Sequence, residues 1–269
     1  MFEPYLGRWG LVPDGPPIET HAAHLLPVRQ GPVPAMLKLS AHEEEQRGGA
    51  VLEWWNGDGA ATVLARDEGA LLMERATGPR SLSEMARAGE DDEASRILCA
   101  AAARLHVPRG APPAGVVPLA TWFRDLEPFA ASHGGILARS LGEARQLLAA
   151  PREVAVLHGD LHHDNVLDFG ARGWLAIDPK ALAGERGFDH ANIFTNPDLA
   201  DPTRPVATLP GRFARRLEVV CEAAGLERGR LLRWILAWAG LSAAWYLGDG
   251  DPATTDLAIA GLAAAELDG

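Results

Sequence analysis

Six polar side chains fall within eight residues at 158–165, His-Gly-Asp-Leu-His-His-Asp-Asn. Apolar clamps close on both sides, Val154–Leu157 before and Val166-Leu167 after. A solvated surface loop is not built this way. A second short apolar run, Trp174-Leu175-Ala176-Ile177, leads straight into Asp178. The pattern predicts that Asp160, Asn165 and Asp178 converge at one end of a small hairpin. Two carboxylates and an amide are hard oxygen donors. That set suits Mg²⁺ held against a phosphate, because Mg²⁺ prefers oxygen and takes few protein ligands.

The same loop allows a rival chemistry. His158, Asp160, His162, His163 and Asp164 form a dense ligand cluster of the kind a Zn²⁺ or Mn²⁺ hydrolase uses. The cluster is local, no second His-rich segment completes it, and it leaves Asn165 and Asp178 idle.

Lysine is nearly absent. Of 25 Lys and Arg residues only Lys38 and Lys180 are lysines. A compact ammonium is hard to replace by a planar guanidinium at a phosphate site, so both positions are of interest. Lys38 lies in an apolar strand, Ala35-Met36-Leu37-Lys38-Leu39, and Lys180 follows Asp178 by two residues.

The spacing His158-x-Asp160, four residues, Asn165, then Asp178 resembles the catalytic loop and metal-binding Asp of the protein-kinase-like phosphotransferases. Gly159 stands where protein kinases carry Arg, and Asp178-Pro179-Lys180 where they carry Asp-Phe-Gly. With Trp54–Gly59, Leu241–Trp245 and Asp256–Ala260, these departures look like the aminoglycoside phosphotransferases, in particular the streptomycin 6-kinase and hydroxyurea-resistance kinase group.

The resemblance implies an α+β, two-lobed protein-kinase-like fold. A β-rich nucleotide lobe would span 1–76 and a mostly helical lobe 77–269. It implies ATP-dependent O-phosphotransfer to an aminoglycoside hydroxyl, with Mg²⁺ and a streptomycin-like acceptor, conferring antibiotic resistance. Asp160 would orient the acceptor hydroxyl and take its proton. Asn165 and Asp178 would hold the metal. Lys38 would meet the nucleotide phosphates, held by Glu45, with Glu44 as the competitor. The backbone of Glu74 and Ala76 would bind the adenine edge, with Met73 behind it. The turn at Thr20–Ala23 would cover the phosphates without a Gly-rich signature. Asp189 is expected as a structural or substrate-side carboxylate, His158 as a brace, and His162 and His163 as structural. A kinase of another small hydroxylated metabolite, or of hydroxyurea, would show the same loop. A binding protein on this scaffold would be expected to lack one member of the set.

The remaining chain must position these groups. Strands are expected at 18–28, 35–39, 61–65 and 70–75, with a helix from about Ser40 or His42 to Trp55 that breaks at Asn56-Gly-Asp-Gly. Helices follow at 81–88, 91–106, 119–132, 136–150, 209–224, 229–247 and 252–267, with a Pro-rich linker at 108–118. The periodic Trp234, Trp238 and Trp245 are expected in the core, and residues 1–20 as a loosely held segment with a first strand.

Composition narrows the class. With 269 residues, 47% hydrophobic and 23% charged, the chain is an ordinary globular protein. A net charge of −11 disfavours nucleic acid and favours a small cationic partner. Cys99 and Cys221 are expected as reduced thiols, and the chain as a cytoplasmic protein, a monomer without a membrane span.

Overall fold

The computed structural model describes residues 1–20 and 22–269; the His21 part of the expected phosphate-covering turn lies outside the described residues. The first lobe is a sheet flanked by two helices. It comprises α1 (Glu3–Trp9), β1 (Leu11–Pro13), β2 (Ile18–Glu19), β3 (His24–Gln30), β4 (Val33–Leu39), α2 (Glu43–Trp55), β5 (Val63–Asp67) and β6 (Ala70–Glu74). The antiparallel order is β1-β3-β4-β6-β5, with β2 on β3. Lys38 is thereby in the middle of the sheet, opposite Leu25 on one side and Leu71 on the other.

One face of this sheet carries Leu26, Val28, Leu37, Leu39 and Leu72, and α1 covers it with Phe2, Tyr5, Leu6 and Trp9. Of the segment expected as loosely held with a first strand, Glu3–Trp9 is an amphipathic helix, and strands follow at Leu11–Pro13 and Ile18–Glu19. Phe2, Tyr5, Leu6 and Trp9 do fall at i, i+3, i+4 and i+7, but the run is short and interrupted by Pro4 and Gly7, and the sheet face is what holds it.

The second lobe opens with α3 (Leu82–Met85), a π turn, and α4 (Asp91–Leu105). It continues through β7 (Val117–Pro118), α5 (Leu119–Trp122), α6 (Leu126–His133), α7 (Gly135–Ala149), β8 (Val154–Leu157), β9 (Val166–Asp168), β10 (Trp174–Ala176), β11 (Leu182–Glu185), α8 (Gly187–Ala191), α9 (Arg212–Ala224), α10 (Arg228–Gly248) and α11 (Thr254–Asp268). β9 and β10 form the small antiparallel hairpin, Ala176 opposite Val166. β8 pairs with β11, Leu157 opposite Leu182. No helix among the described residues is long and apolar enough to cross a membrane.

Two glycine contacts fix how the lobes meet. A Cβ on Gly48, in the interior of α2, would lie 2.2 Å from the Pro179 carbonyl oxygen. Glycine there costs helix propensity of about 1 kcal/mol but lets α2 seat directly on the segment after Asp178. A Cβ on Gly78 would lie 2.1 Å from Asp168 Cγ, and the Gly78 N–H donates to Asp168 O at 2.9 Å. The chain thus crosses between lobes pressed against the end of β9. The Asn56–Gly59 break is seated similarly, its Gly59 carbonyl accepting from Ala176 N and Ala61 N donating to Ala176 O.

Candidate active site

The His158–Asn165 loop hangs on buried anchors. The His158 ring is fully buried. Its Nε2 donates to Ile177 O at 2.7 Å while Nδ1 accepts from the Asp160 N–H at 3.2 Å. This pairing requires the neutral Nε2–H tautomer. Burial also pushes the imidazole below its usual pKa, against the pull of Asp189 and Asp160. The Trp55 ring stacks near it, centroids 6.4 Å apart at 16°.

Asp189 is only 1% exposed. Its two oxygens accept from the His158 and Gly159 N–H groups at 2.9 and 2.8 Å, and Oδ2 also meets His106 Nε2 at 2.8 Å. Burial would raise this carboxyl, but the His106 ring and those N–H groups more than reverse it, holding it below the carboxylate range. The substrate-side expectation for Asp189 is therefore corrected: every oxygen is spent bracing the loop from beneath. His106, which had no expected role, is its partner.

Asp160 is displayed by this framework. Asn192 Nδ2 donates to its Oδ1 at 2.9 Å and Asn165 Nδ2 to its Oδ2 at 3.2 Å. Asn165 Nδ2 also bonds Asp160 O at 2.8 Å, and its own carbonyl accepts from Ile177 N. Both amide protons of Asn165 are thus committed, which leaves its Oδ1 as a free hard donor. Asn192 was not anticipated. It follows Asp189 by three residues on α8 and its continuation, so it shares that face, and this i,i+3 spacing was the available signal.

Asp178 lies two residues past the end of β10, at positive φ (60°). Its carboxylate pairs with Lys38, and Lys38 pairs in turn with Glu45 of α2. Burial raises Asp178, but Lys38 and Lys180 together carry it below the ordinary range, so it stays ionised. The structure therefore joins Lys38, Glu45 and Asp178 by ion pairs, and ties Asn165, which holds Asp160, to Ile177 beside Asp178. Glu45, the glutamate expected from the sequence, pairs with Lys38, while its competitor Glu44 faces Lys180 at 3.3 Å. An oxygen-only set of Asp178 and Asn165 Oδ1 fits Mg²⁺.

At the end of β6, Met73 lies opposite Met36 in the sheet. The Glu74 N–H donates to Thr62 O, and its side chain binds Thr62 N and Arg172, so any ligand contact there falls to backbone groups. Ala76 follows in the crossing segment. The His/Asp hydrolase reading finds no support: His158 and His163 are buried, and no group of three or more His, Cys, Asp and Glu among the described residues is arranged to hold a metal.

Asp160 opens on a cavity of about 530 Å³ walled by Trp122, Trp238, Trp245 and Tyr246, with Glu44 and Asp125 also in its lining. Trp234 and Trp238 are core residues as expected. Trp245 is not: its Nε1 donates to Asp125 Oδ2 at 2.9 Å and its ring packs edge-on to Trp122 beside the cavity.

A sheet lobe carrying a central lysine, set over a helical lobe with this loop, defines a protein-kinase-like phosphotransferase. Solved structures agree on the fold. The aminoglycoside phosphotransferase APH(4)-Ia in ternary complex with ADP and hygromycin B aligns over 99% of this chain and 96% of its own, with TM-score 0.60 at 14% identity. APH(3'')-Id from Streptomyces rimosus aligns over 90% and 96%, with TM-score 0.57 at 20% identity. By sequence, the Streptomycin 3''-kinase of Klebsiella pneumoniae is 58% identical over 97% of this chain and 99% of its own length. The Streptomycin 6-kinase of Streptomyces glaucescens is 32% identical over 96% and 87%. The family profile described as Aminoglycoside/hydroxyurea antibiotic resistance kinase matches residues 8–250, and the chain belongs to that family.

Proposed function

We propose that this protein transfers the γ-phosphoryl group of ATP to a hydroxyl of streptomycin, and that the hydroxyl is the 3'' rather than the 6 position first expected. The carrying observation is Asp160, held by two amides at the wall of an aromatic cavity that Lys180 also lines, two residues past the Asp178 that pairs with Lys38. The 58% identity to a Streptomycin 3''-kinase supports the position, since the 6-kinase stands at 32%.

In this reading residues 1–76 form the nucleotide lobe and 77–269 the acceptor lobe. Lys38, kept in place by Glu45, meets the nucleotide phosphates, and Glu74 and Ala76 offer backbone groups to the adenine near Met73. Asn165 and Asp178 would hold Mg²⁺, which neutralises phosphate charge when bound. Asp160 orients the acceptor hydroxyl and takes its proton as the bond to phosphorus forms. The transition state is loose, so positioning and charge neutralisation supply most of the rate. Glu44 and Asp125 give cationic arms of the acceptor their counter-charge, and the tryptophans exclude water around them.

The test is a coupled ADP-release assay across an aminoglycoside panel, with phosphorus NMR of the product. Streptomycin-dependent ADP release with the phosphate on the 3'' oxygen is expected. Phosphate on the 6 oxygen overturns the position, and silence across the panel overturns the substrate class.

A further inference from the structure

Lys180 meets neither nucleotide nor acceptor in the roles above, yet it lies among the groups that carry them. Its backbone N–H donates to His158 O at 2.7 Å. Its stem crosses Gly159: a Cβ built on that glycine would lie 3.0 Å from Lys180 Cβ and 2.9 Å from Leu182 Cδ1. Gly159 sits at φ 85°, so backbone conformation and crowding both exclude a larger residue. The lysine thus occupies the room that a side chain at 159 would need, and its stem is fixed on the loop that presents Asp160.

Its ammonium reaches back between the lobes, 3.3 Å from Glu44 Oε1 and 3.5 Å from Glu45 Oε1. Two carboxylates at these distances favour the charged form of the ammonium. Among the described residues lining the acceptor cavity, Lys180 is the single Lys or Arg. Lys38 is already shared between Glu45 and Asp178 on the nucleotide side. A phosphoryl group moving toward Asp160 leaves Lys38 behind and needs a cation on the acceptor side.

We propose that Lys180 is a catalytic residue of the transfer step, its ammonium meeting the equatorial oxygens of the γ-phosphoryl group as that group moves from nucleotide to acceptor. This rests on the phosphotransfer reading above. In the step, the acceptor oxygen bonds the γ-phosphorus while the bond to the β,γ-bridging oxygen breaks. The hydroxyl proton passes to Asp160, ADP departs with the bridging oxygen, and Lys180 remains protonated throughout. Its interactions strengthen as the group approaches, which is how a fixed charge lowers a barrier. A point charge on a flexible stem can follow a moving group, which explains lysine here in a chain that, Lys38 apart, otherwise uses arginine.

The test uses full-length Lys180→Met and Lys180→Arg, with steady-state kinetics on ATP and streptomycin and calorimetric binding of ADP and AMP-PNP. Lys180→Met is expected to lower kcat roughly 100-fold, the scale for removing one preorganised charge donor, with the streptomycin KM within about threefold. AMP-PNP affinity should fall by about tenfold while ADP affinity holds, because only the triphosphate carries the group Lys180 meets. Lys180→Arg should recover part of the loss. A kcat within about fivefold of the parent overturns the proposal. So does equal weakening of ADP and AMP-PNP, the outcome if Lys180 only clamps α2 through Glu44. Should the Met variant fail to fold, the Arg variant decides, with full activity overturning the proposal and a roughly tenfold lower kcat with intact ADP binding supporting it. If the parent chain phosphorylates no aminoglycoside, the substrate reading fails, and the ADP/AMP-PNP contrast still judges Lys180.

Discussion

At the residue scale, Asp160 concentrates the proposed chemistry because two amides take one oxygen each and fix the carboxylate plane. Asp160→Ala should lower kcat by about 10³-fold, within the range general-base removal produces, while ADP still binds. Turnover near the parent rate would refute the assignment. The three oxygen-bearing residues Asp160, Asn165 and Asp178 were legible as spacing, since the loop and hairpin that join them are local. Asn192 and His106 were not. Their partners, Asp160 and Asp189, lie 32 and 83 residues away in sequence, and no local period announces such a hydrogen bond. Asp189 was half legible: an acid was expected at that position, but only burial shows that it spends both oxygens on backbone N–H groups.

At the element scale, α2 decides whether Lys38 is held. Its first turn carries Glu43, Glu44 and Glu45, which suits the positive helix end, and its interior Gly48 lets it settle on Pro179. Gly48→Ala opposes two effects. Helix propensity favours alanine by about 1 kcal/mol. Against that, a methyl carbon 2.2 Å from a backbone oxygen cannot be accommodated without moving α2 outward. The steric term wins, because a carbonyl between Asp178 and Lys180 has nowhere to retreat. The variant should therefore lose activity through a parted Glu45–Lys38 pair and melt at a lower temperature than the parent. Unchanged kcat and Tm would show that the α2 contact is slack. The helix itself was readable from its acids and the Asn56-Gly57 stop; its docking depth was not, because glycine in a helix looks only like a defect until its neighbour is known.

At the scale of the whole molecule, buried titratable groups set the response to acid. His158 and His163 are held neutral by burial below their ordinary pKa, and His190 is pushed down to about 4. The unfolded chain binds a proton at each of them below about 6.5, whereas the folded chain does not, so each subtracts stability as pH falls from there toward 4. Asp256 works in the opposite direction. It is fully buried, neither oxygen has a partner at hydrogen-bond distance, and burial pushes it up to about 7 against the pull of the nearby Ser242 hydroxyl. Its folded form gains stability as pH falls from about 7 to 4. Three imidazoles outweigh one carboxyl. The urea midpoint should therefore be lower at pH 5 than at pH 7.5, and Asp256→Asn should steepen that difference by removing the opposing group. A midpoint independent of pH across this window would contradict the burial of these histidines.

What the sequence determined alone was everything carried by short spacing. The loop and its clamps, the metal-suited oxygens, the two lysines and most helices follow from periods and breaks within some twenty residues, where chain geometry leaves few options. Tertiary structure decided which glutamate holds Lys38, that Asp189 braces the loop, that Trp245 faces the cavity, and that Lys180 lies across Gly159. These are contacts between segments far apart in the chain. Their distances are set by how lobes pack and where glycine admits close approach, and a linear pattern encodes the residues for such contacts without encoding the partner.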